Sequence, residues 1–153
     1  MTPSKWDLRF MILAAEISKW SKDPSTKAGA VIVRPDRTVA SLGYNGFPKQ
    51  MPDTAELYLD RNAKYSRIIH CEMNALIHSR EQVAGHTLYT YPFACCDRCV
   101  VHMVQAGISR FVFPEPTVEA LSRWSDAFEK TKRYMDECRV AYLQIDQGAL
   151  CFE

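Results

Sequence analysis

What the sequence lacks narrows its class first. Neither charge dominates: 19 Lys and Arg stand against 18 Asp and Glu, a formal net charge of +1 at pH 7. A chain so close to neutral exerts no general pull on polyanions, which argues against nucleic-acid polymers and leaves small phosphorylated ligands open. There is no basic tract interleaved with aromatics, the usual means of gripping a single strand. No apolar run approaches the roughly 18–20 residues that span a bilayer, and the opening MTPSKWDLRF has neither an apolar core nor a small-residue cleavage site. The expectation is a cytoplasmic protein with no membrane partner. Repeats, low-complexity tracts and linkers are also missing, so residues 1–153 read as a single domain, able to bury about two-thirds of its unfolded surface.

Against these absences stand six cysteines: Cys71, Cys95, Cys96, Cys99, Cys138 and Cys151. A domain of this size needs no disulfide to hold a core, and in a reducing compartment such residues serve metal binding, catalysis or core filling. Cys138 and Cys151 have no motif partner and read as core or tail residues. His78, His86 and His102 likewise stand alone and read as surface residues or as support for a site.

The hydrophobic pattern sets out the scaffold. Residues 4–21 read as an amphipathic helix, because Trp6, Phe10, Leu13, Ala14, Ile17 and Trp20 recur at spacings of three and four. Ser4 and Asp7 form a capping box. Residues 28–33 and 38–42 read as a hairpin around Pro35-Asp36-Arg37, and Gly43-Tyr44-Asn45-Gly46-Phe47-Pro48 as a loop. Asp53 and Glu56 signal the cap of a short polar helix. Helices follow at about 69–79 and 96–105, the second ended by Gly107, with strands at 87–91 and 110–113. A long helix (117–138) and a last strand (140–145) complete the order. Helices alternating with strands after an antiparallel hairpin give an α/β fold: a three-layer α/β/α sandwich on a mixed five-stranded sheet, with its core at about 4–113 and a C-terminal helix and strand at about 117–145.

The chemistry gathers in His70-Cys71-Glu72 and Cys96-Asp97-Arg98-Cys99. A Cys-x-x-Cys at a helix start presents two thiolates on one turn, where the unpaired N–H groups and the dipole favour negative charge. His70 opens another predicted helix and is the natural third ligand of a zinc site, since three protein ligands and one open position make the catalytic arrangement. His70 and Glu72 are rotated by about 200° on an ideal helix, so both serve one ion only if it lies off the helix N-terminus. Glu72 then takes a proton from a zinc-activated water and redelivers it to a leaving group. A redox pair, or a closed structural zinc site using Cys71 or Cys95 as fourth ligand, is the competing reading. A His-x-Glu followed by Pro-Cys-x-x-Cys is the signature of zinc nucleobase deaminases, in which the glutamate is acid and base rather than ligand.

With these motifs, the SKDPS segment before KAGAVIV, the GYNGFP loop, Lys64-Tyr65 ahead of HCEMNAL, and QAGI after the cysteines, the chain resembles the cytidine/deoxycytidylate deaminase superfamily, most closely its deoxycytidylate (dCMP) deaminases. The likeness covers about residues 6–113. It implies the cytidine deaminase-like fold, zinc held by His70, Cys96 and Cys99, and Glu72 as proton shuttle. It implies a free pyrimidine deoxynucleotide as substrate, dCMP and water giving dUMP and ammonia, and a homo-oligomer, dimer or hexamer. Asn45 would contact the sugar or base and Lys27 would lie near the 5′-phosphate; alone, the first reads as a turn former and the second as a surface charge.

Two departures bear on the site. Cys71 stands where the family has alanine, placing a thiol on the pocket floor, and Cys95 replaces the proline before the first metal cysteine. The segment YTYPFACCDRC is one residue longer than the usual pattern, which leaves Cys95 with Cys99 as the alternative to Cys96 with Cys99. Two other functions stay open: deamination of a modified cytosine or a purine, and a catalytically silent zinc module that binds nucleotides.

Overall fold

The computed structural model describes residues 1–152. Five strands form one sheet in the order β2-β1-β3-β4-β5: β1 (Gly29–Val33), β2 (Val39–Tyr44), β3 (Thr87–Tyr91), β4 (Arg110–Pro114) and β5 (Ala141–Ile145). β1 pairs antiparallel with β2 and β3, while β3, β4 and β5 run parallel, giving the mixed sheet expected. The six helices are α1 (Lys5–Ser18), α2 (Ala55–Leu59), α3 (Arg61–Arg67), α4 (Cys71–His78), α5 (Asp97–Gln105) and α6 (Val118–Glu137). A single 3-10 turn at Gln147–Ala149 follows β5.

Strand alternation divides the core into two layers. Ala30 and Ile32 of β1, Leu88 of β3, and Phe111 and Phe113 of β4 pack with Ala75, Val100, Met103 and Met135 from the helices α4, α5 and α6. Val31, Val33, Tyr89, Val112, Leu143 and Ile145 face the other way, against Phe10, Met11 and Ala14 of α1. β1 is buried at all five positions because both neighbours and both faces are covered, whereas the edge strand β2 alternates.

The register places the loops that matter on one end of the sheet. Tyr44, Gly29 and Tyr91 lie side by side across β2, β1 and β3. Asn45, the SKDPST segment before β1 and the 92–96 loop therefore emerge together, and α6 starts after the same end of β4. Gly43 seats α4 over this end: a Cβ there would fall 2.5 Å from the Cys71 carbonyl and closer still to the Ala75 amide. Ser41 Oγ donates to the Ala75 carbonyl at 2.6 Å and Asn74 Nδ2 to that of Tyr44 at 2.8 Å. The bridge between Gly46 and Ile69 then leads the chain directly into His70.

Several expectations are corrected. β2 runs to Tyr44, so the first two residues of the GYNGFP segment are strand. Asp53 caps nothing and pairs with Lys22 at 2.6 Å; Thr54 occupies the N-cap of α2. The second helix of this region, α3, had no periodic signal because none of its residues is buried. Cys138 and Cys151 are exposed, so neither fills the core. His86 is 7% exposed rather than a surface residue, with Nε2 3.4 Å from Glu81 and Nδ1 unpartnered among the described residues.

Asp7 does more than cap α1. Its carboxylate completes the box with Ser4, accepts the Tyr89 hydroxyl at 2.8 Å and takes Arg110 Nη1 at 2.7 Å and Nη2 at 3.2 Å. Burial alone would raise this carboxyl; the Arg110, Ser4 and Tyr89 hydrogen bonds outweigh it and hold the group well below the ordinary carboxylate range. The folded carboxyl thus binds its proton less tightly than the unfolded one, so its contribution is full above about pH 4 and drains as pH falls below the ordinary value of 3.8. Asp7→Asn is expected to cost about 2–3 kcal/mol at pH 7, less than a fully buried pair because Arg110 remains partly exposed. Urea midpoints from pH 7 to 3 check this: the wild-type advantage shrinks below pH 4, and a constant difference would rule the network out.

Candidate active site

His70 and Cys96 occupy equivalent positions in two different helices. Each is an N-cap, of α4 and α5 respectively, with extended backbone angles, and Glu72 and Cys99 lie in the first turns that follow. The two N-termini converge, so that His70, Glu72, Cys96 and Cys99 bring one donor atom each within 4.8 Å of one another. His70 Nδ1 stands 3.4 Å from Cys96 Sγ and 3.5 Å from Cys99 Sγ. Tetrahedral zinc with the usual Zn–N and Zn–S bonds separates such ligands by about 3.6 Å, so these distances fit the metal. The nearest Glu72 oxygen to His70 Nδ1 is at 3.9 Å, longer than the roughly 3.3 Å between nitrogen and oxygen co-ligands.

The electrostatics match a cation-binding set. The contact with Cys96 pushes His70 up to about 9, against the effect of burial and with help from the Glu72 charge. A hydrogen bond from Cys99 and the neighbouring His70 bring Cys96 down to about 4 although burial opposes it, while sharing with Cys96 and burial drive Cys99 upward. One thiol thus ionises at the expense of its neighbour.

The remaining sequence-predicted residues divide. Cys71 is buried; its Sγ donates to Glu72 Oε2 at 3.0 Å, and burial, then the Glu72 charge, pushes its thiol upward. Cys95 lies outside the donor cluster, packed in the core beside Cys71 and Ala94, with its carbonyl accepting from Thr131 Oγ1 at 3.0 Å. Asn45 reaches the cavity nearly saturated: Nδ2 donates to the Thr26 carbonyl at 2.9 Å and to Asp23 Oδ2 at 3.4 Å, and Oδ1 accepts from Ala28 N at 2.8 Å. Only one lone pair on Oδ1 is left for a ligand. Lys27 does not line the cavity holding the donor cluster; Nζ turns to the Ser21 carbonyl, and the residue borders an adjoining cavity.

That principal cavity has a volume of about 300 Å³ and holds His70, Glu72 and Cys96 in its wall. Sequence reasoning missed much of the rest. Asp23 is a buried hub that accepts from Ser25 N at 2.9 Å and from Lys64 Nζ at 2.8 Å, fixing the loop before β1. Phe93, Trp124 and Phe128 form an aromatic wall, with centroids 5.3 and 5.5 Å from Phe93. Residues 123, 124, 127 and 128 all reach the cavity from one stripe of α6, a spacing visible in the sequence but shared with any core-facing helix.

Fold and site together define a three-layer α/β/α protein with a cluster of zinc-type donors at two converging helix N-termini. The chain belongs to the family described as the cytidine and deoxycytidylate deaminase zinc-binding region, whose model matches residues 4–115. It is 35% identical over 145 residues to an uncharacterized deaminase of Aliivibrio fischeri, covering 94% of this chain and 97% of that one. A probable deoxycytidylate deaminase of Caenorhabditis elegans is 33% identical over 141 residues, 90% of this chain and 68% of its own. The fold is shared with the dCMP deaminase of cyanophage S-TIM5, at a TM-score of 0.75 and 21% identity over 95% of this chain and 100% of that one. Among the described residues no helix is long and apolar enough to cross a membrane.

Proposed function

We propose that the chain is a hydrolytic deaminase of a free pyrimidine deoxynucleotide, converting dCMP and water to dUMP and ammonia. The observation that carries this reading is the convergence of His70, Glu72, Cys96 and Cys99, the first three of them in the wall of a cavity of about 300 Å³, a volume at the lower end for small-molecule sites. Family membership and the relatives called deoxycytidylate deaminases support the substrate class, and the S-TIM5 structure holds dCMP and dUMP.

His70, Cys96 and Cys99 would hold the zinc, with nitrogen and sulfur donors of the right type and spacing. The bound metal supplies a Lewis acid that makes water a nucleophile near neutral pH. Glu72 stands beside that position as a buried carboxylate. It would take one proton from the attacking water and pass it to the ring nitrogen next to the amino-bearing carbon as the C–O bond forms. It would then take the remaining proton of the new hydroxyl and deliver it to the amino group, so that the C–N bond breaks, the carbonyl forms and ammonia leaves. Cys71 positions the carboxylate through its S–H bond to Oε2, leaving Oε1 on the His70 side at 3.9 Å from Nδ1. The one free acceptor position of Asn45 suits a sugar hydroxyl and cannot donate to a base carbonyl.

The test is ammonia release and zinc content measured with a panel of free cytosine, adenine and guanine nucleosides and nucleotides. Turnover of dCMP above the other bases is expected. Failure of every cytosine compound with turnover of a purine would replace this substrate, and full zinc with no turnover of any would favour the silent binding module.

A further inference from the structure

Beside the principal cavity lies a second, of about 230 Å³, and the two share Ser25, Thr26, Phe93, Arg123 and Trp124 in their linings. These residues form the neck between them. Arg123 and Trp124 come from α6, beyond the residues 4–115 that the family model matches. At Trp124 the helix departs from helical angles, with φ −137° and ψ 24°, although no proline or glycine lies between 118 and 137. The bend sits where α6 meets the neck.

The chemistry of the neck is that of a phosphate reader. The Arg123 guanidinium lies 4.4 Å from the centroid of the Trp124 ring, which orients the planar fork while leaving its N–H edge for a ligand. No carboxylate pairs with Arg123 among the described residues. Of the other cations lining the principal cavity, Lys64 is committed to Asp23, which leaves Arg61 as the competitor. Across the neck the Ser25 and Thr26 hydroxyls make no hydrogen bond to protein among the described residues, although their backbone N–H groups both serve Asp23. Beyond the neck the second cavity is lined by Lys27, whose ammonium is held by the Ser21 carbonyl, and by Glu119, which among the described residues is ion-paired with neither Lys27 nor Arg123. The neck opens from the same cavity that holds His70, Glu72 and Cys96, so it lies within the space a nucleoside at those residues would occupy.

We infer that Arg123, held on Trp124, is the residue that selects a nucleoside 5′-monophosphate over the free nucleoside. The inference rests on the nucleotide reading above and adds a recognition residue outside the family region. The guanidinium takes two phosphate oxygens side by side, and the Ser25 and Thr26 hydroxyls donate to the third.

The experiment compares kcat/KM for dCMP and deoxycytidine in wild type, Arg123→Gln, Arg123→Lys and Arg61→Gln, together with the affinities of dUMP and deoxyuridine by calorimetry. The nucleotide-to-nucleoside ratio is expected to fall about 10- to 100-fold in Arg123→Gln, in both measurements, the loss of a charged hydrogen-bonded contact. Arg123→Lys should recover part of the ratio, since a point charge remains without the fork. A merely structural role lowers both substrates together and leaves the ratio unchanged, which would overturn the inference. So would a collapse confined to Arg61→Gln, an arginine that lines only the principal cavity. If the base proves to be other than cytosine, the same ratio is read on the nucleoside and 5′-monophosphate of the base that is turned over, so an error in the base and an error in Arg123 give different results.

Discussion

Glu72→Gln is expected to keep its zinc and to lose about 10³- to 10⁴-fold in kcat on the deaminated nucleotide, the scale of a positioned general acid and base. Glutamine preserves the size of the side chain and its burial, 3% exposed in the protein, but it can neither accept the proton of a water nor return one. The zinc prediction follows from geometry. The nearest carboxylate oxygen stands 3.9 Å from His70 Nδ1, against 3.4 and 3.5 Å for the two cysteine sulfurs. On the proposed reading Glu72 is therefore a neighbour of the metal position rather than one of its donors. Metal content by atomic absorption and single-turnover kinetics check both halves. A variant that loses zinc with activity would make Glu72 a fourth ligand and favour a closed, silent centre. One that keeps zinc and full activity would remove the carboxylate from the mechanism.

The parts of this site legible in the sequence are those built by local chemistry. Ser4, with Asp7 three residues on, marks the N-cap of α1, and both halves of that box form. Cys96-x-x-Cys99 puts two sulfurs on one turn whatever the rest of the chain does, and the uninterrupted AVIV of β1 announces burial on both faces. What stayed hidden depends on long separations or on polar surface. Asp7 meets Tyr89 and Arg110 across 82 and 103 residues, and no spacing records such a contact. The helix α3 buries no side chain and so carries no apolar period; its only local mark is Asp60, whose carboxylate accepts from Ala63 N at 3.1 Å. The aromatic wall was ambiguous for another reason. Trp124 and Phe128 are one turn apart, the spacing of any core face, and only the position of α6 over the neck turns that face toward a ligand. Lys27, placed near a 5′-phosphate by the family resemblance, has its ammonium at the Ser21 carbonyl and borders the adjoining cavity rather than the principal one, which no local pattern could indicate.

The doubled cysteine provides the second large effect. Cys96→Ala and Cys99→Ala should each drop zinc from about one ion per chain to near none and abolish turnover, because two protein ligands do not hold a catalytic zinc against solution. Cys95→Ala should retain the metal. The difference follows from where each residue sits on the start of α5. Cys96 is the N-cap, so its side chain projects off the helix end toward His70, and its sulfur also accepts from Cys99 N at 3.4 Å. Cys95, one residue earlier, is buried in the core cluster that also holds Cys71 and Ala94 and lies outside the donor cluster, while its carbonyl ties the loop to Thr131 of α6. That carbonyl survives mutation to alanine; only a sulfur is lost from the core, a cost of about 1–2 kcal/mol. Zinc stoichiometry and urea midpoints separate the two effects: metal loss with little change in apo stability for Cys96→Ala, lowered stability with full metal for Cys95→Ala. The opposite pattern would move the ligand to Cys95, and the extra residue in FACCDRC would then shift the metal centre one position along the chain relative to α5.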